Sequence, residues 1–297
     1  MNTGPATSNA RDLASLPLSE RLTVDNAGAD VFEGAAPEIY DDRIYGGHTI
    51  AQALTAADAT LPEGRHVVSL QAYFVSPGDP RRPLRYAVAR LRDGHSFSSR
   101  AVEVTQDGRL IASWRGLFEI SRGSESIHHL PMPTAPAPES LPPLHIRREV
   151  PGPLPDGINW SPGAEWWKAS RPFDIRYIDS PDGADGERCF WFRSEPAGSR
   201  RQNTHRAILA FASDRSLLAA ISHARGELAC GTAARGASLD HAMWFHSDIN
   251  AGEWLLYVQS SPFSTHRTGI AQGHIYDRRG LMVASVMQQG VRSTTRG

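Results

Sequence analysis

The sequence predicts an α+β protein that contains two copies of one unit, each an antiparallel sheet wrapped around a helix. The first observation is a repeat, because the strand-rich run over residues 68–116 is similar to a second run over residues 237–288. The second is an Ala-rich segment of helical character before each run. Two such units are expected to pack as a pseudo-dimer. The first copy has Gly116 where the second has Gln288, so this difference marks a candidate place for chemistry.

Each element of the first unit is predicted from its local sequence. Residues 22–40 are expected to form short strands that are interrupted by Gly28 and Gly34. Residues 48–59 predict a helix because Ala, Gln and Leu favour helical backbone, and the Leu-Pro-Glu-Gly sequence at 61–64 ends it. Four antiparallel strands are expected to follow. The turn sequences that separate them lie at 77–80, 92–94 and 106–108.

The second unit is predicted to contain the same kinds of element. Strands at Phe173–Tyr177 and Arg188–Arg193 precede a helix over Thr204–Ser213 and a shorter helix over about Asp214–His223. Four strands then complete the unit. They are predicted at residues 238–245, 254–259, 268–276 and 281–291.

A proline-rich segment separates the two units. Proline dominates residues 131–155, a composition typical of an extended linker that crosses a surface. The predicted organisation is therefore four consecutive segments. They are a disordered tail at 1–15, an N-terminal repeat at 16–120, a Pro-rich linker at 121–170 and a C-terminal repeat at 171–297.

Composition excludes several classes of partner. The net charge of −1 and the absence of any block of like charge argue against nucleic acid. Residues 1–10 lack the pattern of a signal peptide, and apolar runs such as 207–212 are too short to span a membrane, so we expect a soluble cytoplasmic protein. Cys189 and Cys230 are too few and too far apart for a metal site or a disulfide framework, so no metal and no cofactor is expected.

Common catalytic signatures are missing from the sequence. Residues 94–98 begin like a nucleophile elbow but lack its last glycine, and they lie in a predicted hairpin. The sequence contains neither a phosphate-binding G-x-x-x-x-G-K-[ST], nor a dinucleotide-binding G-x-G-x-x-G, nor an H-E-x-x-H zinc motif. These observations argue against a classical serine hydrolase, a nucleotide hydrolase, a hydride-transfer enzyme and a zinc protease.

Five motifs in a fixed order carry a resemblance to a known family. They are Tyr-Gly-Gly-His-Thr-Ile-Ala-Gln-Ala-Leu at 45–54, Tyr-Phe-Val-Ser-Pro-Gly-Asp at 73–79, Leu-Arg-Asp-Gly-His-Ser-Phe at 91–97, Arg-Pro-Phe-Asp-Ile-Arg at 171–176 and Leu-Asp-His-Ala-Met-Trp-Phe-His at 239–246. From about residue 22 to residue 291 the chain resembles the acyl-CoA thioesterase II family. The resemblance implies a double hotdog fold, with two long helices that are each wrapped by a curved antiparallel sheet.

The resemblance also implies a catalytic triad of Asp214, Ser238 and Gln288. Asp214 ends a Phe-Ala-Ser-Asp motif, Ser238 lies two positions before the Asp-His pair, and Gln288 ends a Val-Ala-Ser-x-x-Gln motif. The three residue types suit hydrolysis of a thioester. A carboxylate can take a proton from water, while a hydroxyl and an amide can hold that water by hydrogen bonds. Backbone amides near a helix N-terminus are the expected donors to the oxyanion.

Each member of the triad also has a structural interpretation. Asp214 is placed to cap the helix that follows it, Ser238 resembles an ordinary strand serine, and Gln288 resembles an exposed strand residue that could be confused with its neighbour Gln289. His241 and His246 flank an apolar strand, where a hydrogen-bonded structural role is expected.

His48 departs from the family, whose members commonly have Gln after the two glycines. It is predicted to contact either the site or a neighbouring subunit, and its effect on rate is left open. The sequence does not identify which arginines bind the CoA phosphates.

The function predicted from these features is hydrolysis of an acyl-CoA substrate to free fatty acid and CoA. Assembly into a homodimer or homotetramer is also expected. The main alternative is a non-catalytic acyl-CoA-binding or interaction protein that retains the fold. A hotdog hydratase is a weaker alternative, because the sequence lacks the Asp-x-x-x-x-Asn-Pro-x-His run of such enzymes.

Overall fold

A computed structural model describes residues 13–36, 43–120, 128–143, 172–178, 187–198, 201–226 and 236–292. Within these residues, thirteen strands form one antiparallel sheet. Their bounds are β1 Asp25–Gly28, β2 Val31–Gly34, β3 Arg65–Phe74, β4 Leu84–Asp93, β5 Phe97–Gln106, β6 Arg109–Ile120, β7 Phe173–Ile178, β8 Arg188–Ser194, β9 Gly236–Ser238, β10 Asp240–Phe245, β11 Leu255–Ser264, β12 Thr268–Asp277 and β13 Met282–Arg292. The order across the sheet is β1-β2-β4-β5-β6-β3-β10-β13-β12-β11-β8-β7, and β9 pairs with β13.

Four α-helices accompany the sheet in the described residues. They are α1 Leu18–Arg21, α2 Gly46–Asp58, α3 Gln202–Ser213 and α4 Leu217–Ala224, and short 3-10 helices lie at Leu13–Ser15 and Pro138–Ser140. The strands divide into two sets, β1–β6 around α2 and β7–β13 around α3. This arrangement confirms the predicted double hotdog, in which each long helix is wrapped by its own half of the sheet.

The helix α2 is buried on almost every side, which explains its small side chains. Ala51, Ala53 and Ala57 are fully buried and allow the strands to approach the helix closely. The buried amide of Gln52 is satisfied in both directions, since it donates to the carbonyl of Ala35 (3.0 Å) and accepts from Tyr86 Oη (2.7 Å). A polar side chain in this core therefore fixes the helix to the strands around it.

The two repeats join through one strand pair and one helix pair. Strands β3 and β10 lie side by side, with Gln71 opposite Ala242 at the middle of the pair and Leu70 opposite Met243 next to it. The helices meet where Tyr45, at the start of α2, donates its hydroxyl to the carbonyl of Phe211 on α3 (2.7 Å). The aromatic rings of Tyr45 and Phe211 also pack edge to face, with centroids 4.9 Å apart. The pseudo-dimer thus holds the end of one helix against the start of the other.

The described part of the proline-rich segment, residues 128–143, packs on the outer face of the second repeat. Trp191 Nε1 donates to the carbonyl of Pro136 (2.9 Å), and Arg176 donates to the carbonyl of Leu141 (2.6 Å). Met132 contributes to the same apolar cluster. The segment therefore covers hydrophobic side chains that the sheet would otherwise expose.

The predicted elements are all found among the described residues, with shifted bounds. Helix α3 begins at Gln202 rather than Thr204, and α4 begins at Leu217 rather than near Asp214. The strand predicted over 238–245 is divided at Leu239 into β9 and β10. Residues 1–12 of the predicted tail and Cys230 lie outside the described residues. Among the residues that are described, no helix is both long and apolar enough to cross a membrane.

Candidate active site

The three side chains of the predicted triad come from three elements of the second repeat. Asp214 follows the last residue of α3, Ser238 ends β9, and Gln288 lies in β13. Ser238 lies opposite Gly290 in the β9–β13 pair. Gly290 is two residues after Gln288 and is therefore on the same face of β13. The chain fold therefore brings together three residues that are far apart in sequence.

The three groups form a closed triangle of hydrogen bonds. Gln288 Nε2 donates to Asp214 Oδ1 (2.7 Å) and also to Ser238 Oγ. Ser238 Oγ in turn donates to the same carboxylate oxygen (3.2 Å). Within the described part of the chain, both bonds reach Oδ1, so Oδ2 is the oxygen left for another donor. The amide uses both of its hydrogens and the hydroxyl acts once as donor and once as acceptor.

The triangle is largely shielded from water. Asp214 is 8% exposed, Gln288 is fully buried and Ser238 is half-buried. Hydrogen bonds in such a setting are stronger than in water and hold their donors in place. Asp214 lies two residues before Ser216, the residue that precedes α4, and its carboxylate accepts from the side chains of Ser238 and Gln288. The helix-cap interpretation of Asp214 is therefore wrong.

The start of α2 approaches the free oxygen of Asp214. A Cβ atom built on Gly46 would lie 2.8 Å from Asp214 Oδ2 and 2.9 Å from Phe74 Cζ. A Cβ atom on Gly47 would lie 2.5 Å from the carbonyl oxygen of Phe211. Only glycine fits either place, which explains the Gly-Gly pair of the motif. The first N–H groups of a helix have no partner within it, so this end of α2 presents backbone donors beside the carboxylate.

A second layer of hydrogen bonds supports the triangle. His241 is fully buried, with Nδ1 3.2 Å from Gln288 Oε1 and Nε2 2.9 Å from Ser213 Oγ. Burial lowers the pKa of His241, which favours the neutral imidazole. Asp240 Oδ1 accepts from the backbone N–H of Gln289 (2.7 Å) and so holds the backbone next to Gln288.

These contacts agree with the hydrogen-bonded role expected for His241, but the sequence does not reveal the partners of His241 and Asp240, because those partners lie on other elements. Only the adjacency of Asp and His in the motif at 239–246 was a signal.

Two other histidines of the motifs, His246 and His48, have partners outside the triangle. His246 Nε2 is 2.8 Å from Ser285 Oγ, which agrees with the structural role expected for it. His48 is buried in the first repeat, where its Nε2 lies 3.1 Å from the carbonyl of Ala35. Burial lowers the pKa of His48 to about 4. The expected contact of His48 with the site or with a neighbouring subunit is therefore wrong, because its side chain belongs to the core.

The first repeat carries a counterpart of the site that is filled by other side chains. Asp58 is the last residue of α2 and Asp214 directly follows α3, but the carboxylate of Asp58 is bound by Asn203 Nδ2 and by Arg201 (3.0 Å). Gly116 pairs with Arg100 of β5, and Gln288 pairs with Ala271 of the corresponding strand β12.

In this counterpart, aromatic side chains pack into the space beside Gly116. A Cβ atom on Gly116 would lie 2.3 Å from the indole of Trp114, so the ring takes the space beside this position. Among the residues that the structure describes, the polar triangle is therefore present in the second repeat and not in the first.

Comparisons with known proteins agree with this architecture. Residues 171–291 match the family model described as acyl-CoA thioesterase, and residues 36–119 match the model described as acyl-CoA thioesterase N-terminal domain. The chain is 30% identical to acyl-coenzyme A thioesterase 8 of Mus musculus, over 94% of this chain and 90% of the relative. It is 31% identical to acyl-CoA thioesterase 2 of Haemophilus influenzae, over 88% of this chain and 91% of the relative.

A solved structure shows the same fold over almost its whole length. The acyl-CoA thioesterase II TesB2 of Mycobacterium marinum is 30% identical and superposes with a TM-score of 0.76, over 94% of this chain and 99% of that one. The double hotdog and these matches define the class of the protein, which is that of the hotdog thioesterases. Within that class, the chain belongs to the acyl-CoA thioesterase family.

Proposed function

We propose that the protein hydrolyses acyl-CoA thioesters to free fatty acid and CoA, with a water activated by Asp214, Ser238 and Gln288. The observation that carries the proposal is the hydrogen-bonded triangle beside the start of α2. It combines a proton acceptor with fixed donors in a shielded place. The family membership supports the same reaction.

The proposed roles follow from the atoms that face one another. Asp214 Oδ2 is the proton acceptor, because the bonds from Ser238 and Gln288 engage Oδ1. Ser238 Oγ keeps a lone pair that can accept a hydrogen bond from the attacking water, and Gln288 holds the carboxylate and the hydroxyl in place. The backbone N–H groups of Gly46 and Gly47 are the proposed donors to the thioester oxygen, since they open α2 next to Oδ2.

The chemical step is then a direct attack of water. The water oxygen bonds to the thioester carbon as Asp214 takes one of its protons, and the negative charge moves to the carbonyl oxygen. The carbon–sulfur bond then breaks, and the CoA sulfur leaves with the proton returned from Asp214. The products are the free carboxylic acid and CoA, and no covalent acyl-enzyme is required.

The test is release of CoA, followed with a thiol-reactive dye, from saturated acyl-CoAs of increasing chain length. Wild type is compared with Asp214→Asn and with Asp58→Asn, because Asp58 is the counterpart of Asp214 outside the triangle. We expect Asp214→Asn to lower turnover by roughly 100-fold or more, since an amide cannot accept the proton. Asp58→Asn should stay within about threefold of wild type.

The alternatives give different results in the same assay. If wild type binds acyl-CoA but releases no CoA at any chain length, the non-catalytic binding protein is the correct reading. If Asp214→Asn retains full turnover, the carboxylate has no part in the reaction. Assembly into a homodimer or homotetramer stays a separate prediction, which light scattering on the purified protein would test.

A further inference from the structure

We propose that His241 is a positioning residue for the hydrolysis, which holds the amide of Gln288 in its productive orientation through a chain of hydrogen bonds that begins at Ser213. The chain is Ser213 Oγ to His241 Nε2 (2.9 Å), His241 Nδ1 to Gln288 Oε1 (3.2 Å) and Gln288 Nε2 to Asp214 Oδ1 (2.7 Å). The proposal rests on the proposed function, because it concerns the same triangle.

The orientation of an amide matters at this place. If the amide of Gln288 were rotated by half a turn, its oxygen would face the carboxylate of Asp214 and the oxygen of Ser238. The amide oxygen and the carboxylate, which are both acceptors, would then face each other, and the two hydrogen bonds that Gln288 donates within the triangle would be lost. The productive orientation puts the amide nitrogen on Asp214, which leaves the amide oxygen to be satisfied elsewhere.

His241 supplies the donor that the amide oxygen needs. Gln288 Oε1 can only accept, so His241 must carry its proton on Nδ1. A neutral imidazole has a single N–H, and Nε2 must therefore accept. Ser213 meets that need by turning its single hydroxyl proton toward Nε2 (2.9 Å) and away from the carbonyl oxygen of Ala210, which lies at the same distance (2.9 Å).

The position of Ser213 is itself fixed by the core. It is the last residue of α3, it is fully buried, and its carbonyl accepts from Tyr257 Oη (3.0 Å). The carboxylate of Asp214 follows directly in the chain. One short segment thus carries the proposed base and, through His241, controls the amide that faces it.

A pair of substitutions separates this role from simple packing. Asn at position 241 places its amide close to where the Nδ1 donor lies, whereas Gln reaches toward the Nε2 position and leaves no donor for Gln288. We expect His241→Asn to keep kcat within about tenfold of wild type and His241→Gln to lower it roughly 100-fold. KM should change less than about threefold in both variants. Equal losses in the two variants, or full turnover in His241→Gln, would overturn the proposal.

A double-mutant cycle provides a second test with smaller changes. Ser213→Ala removes the proton that fixes the tautomer, so kcat is expected to fall about tenfold in the wild-type background. The same change should have no further effect on His241→Asn, because asparagine does not need that proton. Equal effects in both backgrounds would contradict the positioning role. If wild type itself releases no CoA, the proposed function fails together with this inference, whereas an active wild type isolates the result for His241.

Discussion

Gly46 and Asp214 face each other across the two repeats, and a Cβ atom on Gly46 would lie 2.8 Å from Asp214 Oδ2. This contact joins the first residue of α2 to the residue that follows α3. The site is therefore shared between the repeats, although its three polar side chains all belong to the second one. The first repeat contributes backbone, and it can do so only because glycine occupies this position.

The closeness of Gly46 predicts that Gly46→Ala lowers turnover. The added methyl group would displace either the carboxylate of Asp214 or the ring of Phe74, whose Cζ lies 2.9 Å from the Cβ position. A displacement of less than 1 Å at a reacting group can reduce the rate about 100-fold, so we expect a loss of at least tenfold in kcat.

Gly252→Ala is the matched control for this substitution. Its nearest neighbour would be Asn250 Oδ1 at 3.4 Å, an ordinary contact away from the triangle. Steady-state kinetics on both variants, with circular dichroism to verify folding, gives the comparison. Equal activity of the two variants would show that the space beside Asp214 is not needed.

Adjacent glutamines in β13 provide a second prediction. Gln288 is fully buried and donates to both Asp214 and Ser238, whereas Gln289 is only half-buried. We expect Gln288→Ala to lower kcat roughly 100-fold and Gln289→Ala to leave it within about threefold. The measurement is CoA release at saturating substrate. A greater loss in the Gln289 variant would reverse the assignment of the two positions.

The strands of this fold were predictable because their turns are marked in the sequence. The Asp-Gly and Pro-Gly turns separate β3 to β6 as expected, and buried positions alternate along β5. The start of α3 was not predictable from local composition. Asn203 is polar, yet it is buried there because it accepts from the backbone N–H of Val67 (3.0 Å). A tertiary contact of this kind extends a helix beyond its local pattern.

The candidate site likewise has some residues that local motifs predict and others whose roles depend on contacts with residues distant in the sequence. Motifs identify the positions of Asp214, Ser238 and Gln288, but the role of His241 depends on Ser213. That partner has no fixed spacing from it in the sequence. The failure of the expectation for His48 has a similar cause, since its partner Ala35 lies in the loop after β2. Only the folded chain reveals such pairs.

His48 predicts a loss of stability in mild acid. Its folded pKa of about 4 lies below the ordinary value of 6.5, because the ring is fully buried, with Arg21 adding a smaller effect. As the pH falls from 6.5 toward 4, His48 becomes protonated in the unfolded chain but stays neutral in the folded protein. The free energy of unfolding should therefore decrease between pH 6.5 and 4, by up to about 3 kcal/mol.

His48→Gln should remove this dependence, because glutamine can still donate to the carbonyl of Ala35 but does not titrate. Urea unfolding of both proteins between pH 4 and 7 measures the effect. Turnover at pH 8 checks that the triangle is undisturbed. Parallel pH curves for the two proteins would exclude His48 as the source of acid sensitivity.

Burial of Asp58 predicts a contribution to stability that changes with pH in the opposite direction. Burial raises its pKa above 3.8, although its bonds to Asn203 and Arg201 act in the other direction. The folded protein therefore holds the proton more tightly than the unfolded chain. The stability contributed by the protonated carboxyl is present below pH 3.8 and is lost as the pH rises through the folded pKa. Relative to wild type, Asp58→Asn should become more stable over that rise.

Asp79 offers a control, because folding lowers its pKa whereas folding raises the pKa of Asp58. Hydrogen bonds from Arg81 lower the pKa of Asp79, so its contribution is present above 3.8 and is lost as the pH falls. Asp79→Asn should therefore become less stable than wild type as the pH rises, while Asp58→Asn moves the other way. Chemical denaturation of the three proteins from about pH 2 to 7, a range that includes the pH below 3.8 where the contribution of Asp79 is lost, gives the two difference curves. If both curves have the same slope, burial does not dominate the ionisation of Asp58, and the carboxylate is instead stabilised by the residues at the start of α3.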